Sequence, residues 1–165
     1  MQETPAVYYI KPDGSIIRII DDITFPNGLD LSPDEKTLYV VNTRGEGTKG
    51  RYIYAYDVME DGTVSNGRIF AELQLTDENE DMPDGASGAD GTSVDSAGNL
   101  YVATTQGLGI QVFNSSGEHL GNIECQSITN NLYFGGEDMK TLYVSARDGI
   151  YRIQVKIPGL KIPQR

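Results

Sequence analysis

Tryptophan is absent from the 165-residue chain, and cysteine and histidine occur once each. A single cysteine excludes an intrachain disulfide, and Cys125 reads as a buried structural thiol. A single histidine excludes a His-rich metal site. His119 stands in a Gly-Glu-His-Leu-Gly stretch that reads as a turn into an outer strand, a poor setting for a catalytic triad. Basic residues are scarce: 13 Lys and Arg stand against 24 Asp and Glu, a formal net charge of -11. Nucleic acid and anionic membrane attract positive charge, so neither is an expected partner. No apolar run approaches the ~20 residues of a membrane-spanning helix. No basic region followed by an apolar stretch opens the chain, so a cytoplasmic location is expected and the Asn114-Ser115-Ser116 sequon carries no weight. A sustained 3.6-residue apolar period is also missing, which excludes a substantial helix.

Turn formers and strand formers fill the chain instead. The sequence holds 19 Gly and 7 Pro, and β-branched and aromatic runs alternate with Gly, Asp, Asn and Pro clusters. Strands are predicted at Val7–Ile10, Ser15–Ile20, Gly28–Ser32, Thr37–Asn42, Tyr52–Val58, Gly67–Leu73, Gly91–Asp95, Leu100–Thr104, Gly109–Phe113, Leu120–Ile123, Asn131–Phe134, Thr141–Ala146 and Gly149–Val155.

Two of those strands recur as a phrase. The first copy runs Pro26-Asn27-Gly28-Leu29-Asp30-Leu31-Ser32-Pro33-Asp34 and ends Leu38-Tyr39-Val40. The second runs Asp90-Gly91-Thr92-Ser93-Val94-Asp95 and ends Leu100-Tyr101-Val102. The third runs Asn130-Asn131-Leu132-Tyr133-Phe134-Gly135-Gly136 and ends Leu142-Tyr143-Val144. Strands in groups of four, with a repeated motif on the first two, describe β-propeller blades. The expected divisions are a blade edge at 7–20 and blades at 27–73, 90–123 and 130–155. An acidic, Gly-rich loop at 76–88 is inserted between two of them, and the stretch after Pro158 reads as a tail. The copies place Asn27, Asp90 and Asn130 at one repeat position. Three oxygen-bearing side chains there suggest a shared site, and hard cations such as calcium take such oxygens from carboxylates and amides.

These phrases resemble the gluconolactonase, regucalcin and luciferin-regenerating-enzyme family of six-bladed propellers. The carriers are Pro26-Asn27-Gly28-Leu29 with Ser32-Pro33-Asp34, Asp90-Gly91 with Gly98-Asn99-Leu100-Tyr101-Val102, Phe134-Gly135-Gly136, and Ala146-Arg147-Asp148-Gly149-Ile150-Tyr151. The resemblance extends from Val7 to Gly159. It implies an all-β half propeller of about three blades, of the calcium-dependent lactonase type. It implies Asn27 and Asp90 as ligands of a divalent cation, calcium first, with Asp90 also the catalytic general base. Asp84 repeats the local letters of Asp90 at the wrong distance from the next strand. A small sugar lactone is the implied substrate, its carbonyl polarised by the cation. The family's further Glu ligand comes from an N-terminal half with no counterpart here, since Glu3 lies too close to the start. A second half propeller is therefore the expected partner, either a second copy in a homodimer or the N-terminal half itself. The competing expectation is a non-catalytic metal-binding or assembly module on the same scaffold.

Overall fold

The computed structural model describes residues 5–44, 49–74, 88–105 and 109–161. Four antiparallel meanders follow one another along the chain. β1 (Val7–Ile10) pairs with β2 (Ile16–Ile20). β3 (Pro26–Leu31), β4 (Thr37–Asn42), β5 (Tyr52–Val58) and β6 (Val64–Glu72) form a four-stranded sheet in sequence order. So do β7 (Ala89–Val94), β8 (Leu100–Thr104), β9 (Ile110–Phe113) and β10 (His119–Ile123). β11 (Thr129–Gly135), β12 (Thr141–Ala146) and β13 (Gly149–Gln154) complete the arc as a three-stranded sheet. The one helical segment among the described residues is a 3-10 turn at Lys49–Arg51. The protein is all-β, a partial propeller.

Three apolar layers lie between the four sheets. Val7, Ile20 and Ile23 meet Leu38, Val40 and Tyr56 between the first and second sheets. Tyr39, Val41 and Ile53 meet Ala89, Leu100, Val102 and Phe113 between the second and third. Tyr101, Ala103 and Ile110 meet Leu132, Phe134, Leu142 and Val144 between the third and fourth. A strand covered on both sides has no solvent face to mark with polar residues. That is why Leu100–Thr104 is buried throughout, while β12, covered on one side, alternates buried Leu142 and Val144 with exposed Tyr143 and Ser145.

The predicted strands are all present, and their boundaries differ in an informative way. β3, β7 and β11 each begin two residues earlier than the sequence suggests, at Pro26, Ala89 and Thr129. Asn27, Asp90 and Asn130 therefore lie inside strands. β6 also begins early, because a register shift and a left-handed Asn66 (φ 52°) let Val64 pair with Val58. Cys125 is half-buried rather than buried, since it sits in the connection leaving outer strand β10. The segment at 158–160 is built into the fold. Ser96 donates its amide to the Pro158 carbonyl (2.8 Å), Gly159 donates to Met139 (2.9 Å), and Asp95 bridges Gly159. A Cβ at Gly159 would collide with the Phe134 ring.

Candidate metal and catalytic cleft

Each innermost strand carries the same irregularity. Pro26 pairs with Asn42 but Leu29 with Val40, so one extra residue is inserted on β3. Ala89 pairs with Thr104 but Thr92 with Val102 on β7. Thr129 pairs with Ala146 but Asn131 with Ser145 on β11. Asn27, Asp90 and Asn130 each fall in the resulting bulge. A bulge re-aims a side chain without ending the ladder, and the ladder does continue. Thr43, Thr105 and Arg147 donate main-chain N–H to the carbonyls of Phe25, Gly88 and Ile128, at 3.1, 2.8 and 2.9 Å.

The glycines beside two of the bulges set the spacing of the strands. A Cβ at Gly28 would collide with the Asp90 carbonyl and stand 2.9 Å from the Thr92 nitrogen. A Cβ at Gly91 would stand 2.8 Å from the Asn131 Cα. Glycine therefore permits a backbone approach between neighbouring inner strands that any side chain would prevent.

A cleft of about 650 Å³ opens over these bulges, lined by Asn27, Asp30, Asp90, Asn131, Tyr133 and Tyr143 among others. Asn27 is exposed and Asp90 half-buried. Asn130 Nδ2 donates to Asp90 Oδ2 at 3.2 Å. Asn27 Nδ2 donates to Thr43 Oγ1 at 3.1 Å, and Thr43 Oγ1 donates to the Ala89 carbonyl at 2.5 Å. Asn130 thus touches Asp90, and Asn27 reaches the residue preceding Asp90 through one hydroxyl.

Sequence reasoning missed four neighbours of this pair. Thr43 closes the second strand of its repeat opposite the bulge, where the other copies have Thr105 and Arg147. Asn131 lines the cleft where Asn130 was the expected contributor. The Thr92 hydroxyl oxygen is buried without a hydrogen-bond partner. Asp30 accepts the Leu31 amide (2.8 Å) on one oxygen and the Val94 amide (2.9 Å) on the other, tying β3 to β7. Burial holds its carboxyl above the usual carboxylate range, against the pull of those two donors. In the sequence, the Leu29-Asp30-Leu31 alternation points Asp30 toward solvent, so no local signal singles it out. Asp84, Glu3 and the acidic stretch of the 76–88 loop lie outside the described residues.

The donor set suits a hard cation in part. Asn27 and Asp90 offer an amide and a carboxylate oxygen, and Asn130 has a second amide oxygen beside Asp90; calcium takes six to eight such ligands. Among the described residues, no group of three or more His, Cys, Asp or Glu side chains converges. These oxygens would make up part of a coordination shell, with Asp90 as its charged member.

The blades and the repeated bulge define a partial propeller with a cleft over its innermost strands, and the chain belongs to the SMP-30/gluconolactonase/LRE-like family, whose profile matches residues 1–148. The gluconolactonase of Zymomonas mobilis is 34% identical over 158 residues, covering 93% of this chain and 41% of the relative. The structure of a Xanthomonas campestris gluconolactonase superposes with a TM-score of 0.71 at 33% identity, covering 93% of this chain and 44% of that one. A regucalcin from Agrobacterium tumefaciens, described as a calcium-binding protein, superposes with a TM-score of 0.76 at 21% identity, covering 96% and 55%, and shares the fold. The chain spans less than half the length of the gluconolactonases it matches.

Proposed function

We propose that this chain forms the cation-bearing part of a lactone hydrolase of the gluconolactonase type. The observation that carries the reading is the placement of Asn27 and Asp90 in equivalent bulges of adjacent blades, lining one cleft. The gluconolactonases among its relatives support a small sugar lactone as substrate. Asn27 and Asp90 would hold a divalent cation, and the all-oxygen donor set favours calcium over softer metals. When bound, that cation supplies Lewis-acid polarisation of the lactone carbonyl. Asp90 accepts a proton from water as the water oxygen attacks the carbonyl carbon. The ring C–O bond then breaks, the proton passes to the leaving ring oxygen, and a hydroxy acid results. Asn130 donates to one Asp90 oxygen and thereby holds the carboxylate plane.

The partner is a further half propeller. Among the described residues the first sheet has two strands and the last three, and each leaves one face uncovered. The test is lactone hydrolysis with calcium and with a chelator, beside Asp90→Asn. Loss of activity to the chelator, and a drop of roughly 10²-fold or more for Asp90→Asn, is the expected result. Hydrolysis indifferent to both would overturn the proposal.

A further inference from the structure

Thr43 has one hydroxyl proton and can accept on its remaining lone pairs. The Ala89 carbonyl can only accept, so the 2.5 Å contact uses that proton. Toward Asn27, at 3.1 Å, Thr43 is left with acceptance alone. The amide of Asn27 must therefore turn Nδ2 to Thr43, which leaves Oδ1 on the opposite side. The main chain of Thr43 is itself fixed, because its N–H donates to the Phe25 carbonyl at 3.1 Å. Residue 89, the far end of this relay, immediately precedes Asp90 on the neighbouring blade.

Resting on the cation reading of the cleft, we infer that Thr43 is a positioning residue that presents the Asn27 amide oxygen, rather than its nitrogen, to the ion. An amide offers one good ligand atom and one that repels a cation, so its orientation decides whether it binds. A hydroxyl that can only accept fixes that orientation before the ion arrives. The same relay ties the Asn27 blade to the Asp90 blade. Thr129 makes the comparable tie between the third and fourth sheets, but its hydroxyl meets only main-chain atoms of Thr104 and Gly109. Asp90 treats Asn130 in a parallel way: a carboxylate only accepts, so Asn130 turns its Nδ2 toward Asp90.

A carboxylate at position 27 has two equivalent oxygens and needs no orienting. The test is built on a cycle of four proteins, the natural chain, Thr43→Val, Asn27→Asp and the double variant, with three further variants as controls. Terbium serves as the calcium-like probe, its luminescence sensitised by Tyr133 and Tyr143, which line the cleft. Thr43→Val is expected to weaken terbium binding about tenfold with Asn27 in place. In the Asn27→Asp background it should change binding less than about twofold, and Thr43→Ser should bind like the natural chain. An equal loss in both backgrounds would make Thr43 a structural tie only, and no loss in either would remove its role. Asn27→Ala and Asp90→Ala report separately on the cation reading. If both bind terbium like the natural chain, that reading falls and the role of Thr43 falls with it. Near-ultraviolet circular dichroism confirms folding, and Thr43→Ala replaces Thr43→Val if the latter does not fold.

Discussion

At the scale of single residues, the closest tolerances lie beside the bulges. Gly28→Ala would drive a methyl group into the Asp90 main chain and push β3 from β7. Such overpacking costs about 1–3 kcal/mol, and here it also separates the two candidate ligands. Thermal denaturation and terbium titration of Gly28→Ala should both show a loss. Gly14→Ala is the control for the titration: its Cβ meets nothing within 4 Å, although its φ of 85° still strains the turn. Asp30 gives a pH signature. Its folded carboxyl holds a proton to higher pH than in the unfolded chain, so stability declines as pH rises from about 4 through the raised value. Asp57 acts in the opposite sense. Hydrogen bonds from Asn66 and then Arg68 lower its value, so its contribution is present above about pH 4 and fades as pH falls through the lowered value. In metal-free denaturation series, Asp30→Asn should remove the first trend and Asp57→Asn should flatten the acid limb.

At the scale of elements, the turn between β7 and β8 is organised by one carboxylate. Asp95 is fully buried and accepts from the Ala97 and Asn99 amides, Asn99 Nδ2 and the Tyr101 hydroxyl, at 2.8 to 3.1 Å. Burial, with Asp95 adding to it, keeps the Tyr101 phenol neutral far above its ordinary range. Asp95→Ala would orphan these donors, at about 1–3 kcal/mol for each one left buried and unpaired. Tyr101→Phe removes one donor only, and chemical denaturation should rank it well below Asp95→Ala. The strands themselves were legible in the sequence because Leu-Tyr-Val runs and Gly-rich turns are local signals. The bulges were not, because an inserted residue is defined by the partner strand opposite it. Asn27 and Asp90 could be singled out by their motif, whereas Thr43 acquires its meaning only through a contact with Ala89, 46 residues away. Asp30 was hidden for a similar reason, since its partner Val94 belongs to the next sheet.

At the scale of the whole molecule, the two ends of the arc are apolar and, among the described residues, uncovered. Ile10 is 66% exposed and Ile16 63% on the β1–β2 face, and Ile150 is 79% exposed on the last sheet. Scattered exposed apolar residues are ordinary, but these sit on sheet faces of the kind that are covered elsewhere in the arc. The expected behaviour is association, whether with a second copy or with a complementary half. A net charge of -11 on each chain would oppose self-association, so added salt should strengthen a homodimer. Light scattering across a salt series, beside Ile10→Lys, tests the homodimer; a folded monomer under every condition would refute it and leave only the complementary half. The repeated bulge has a consequence for how such a site diversifies. Asn27, Asp90 and Asn130 occupy one backbone address in three successive blades. Exchanging amide for carboxylate at any of them alters charge without asking the main chain to move. On the cation reading proposed above, single-codon changes at these addresses would retune how strongly the cleft attracts an ion while leaving the scaffold untouched.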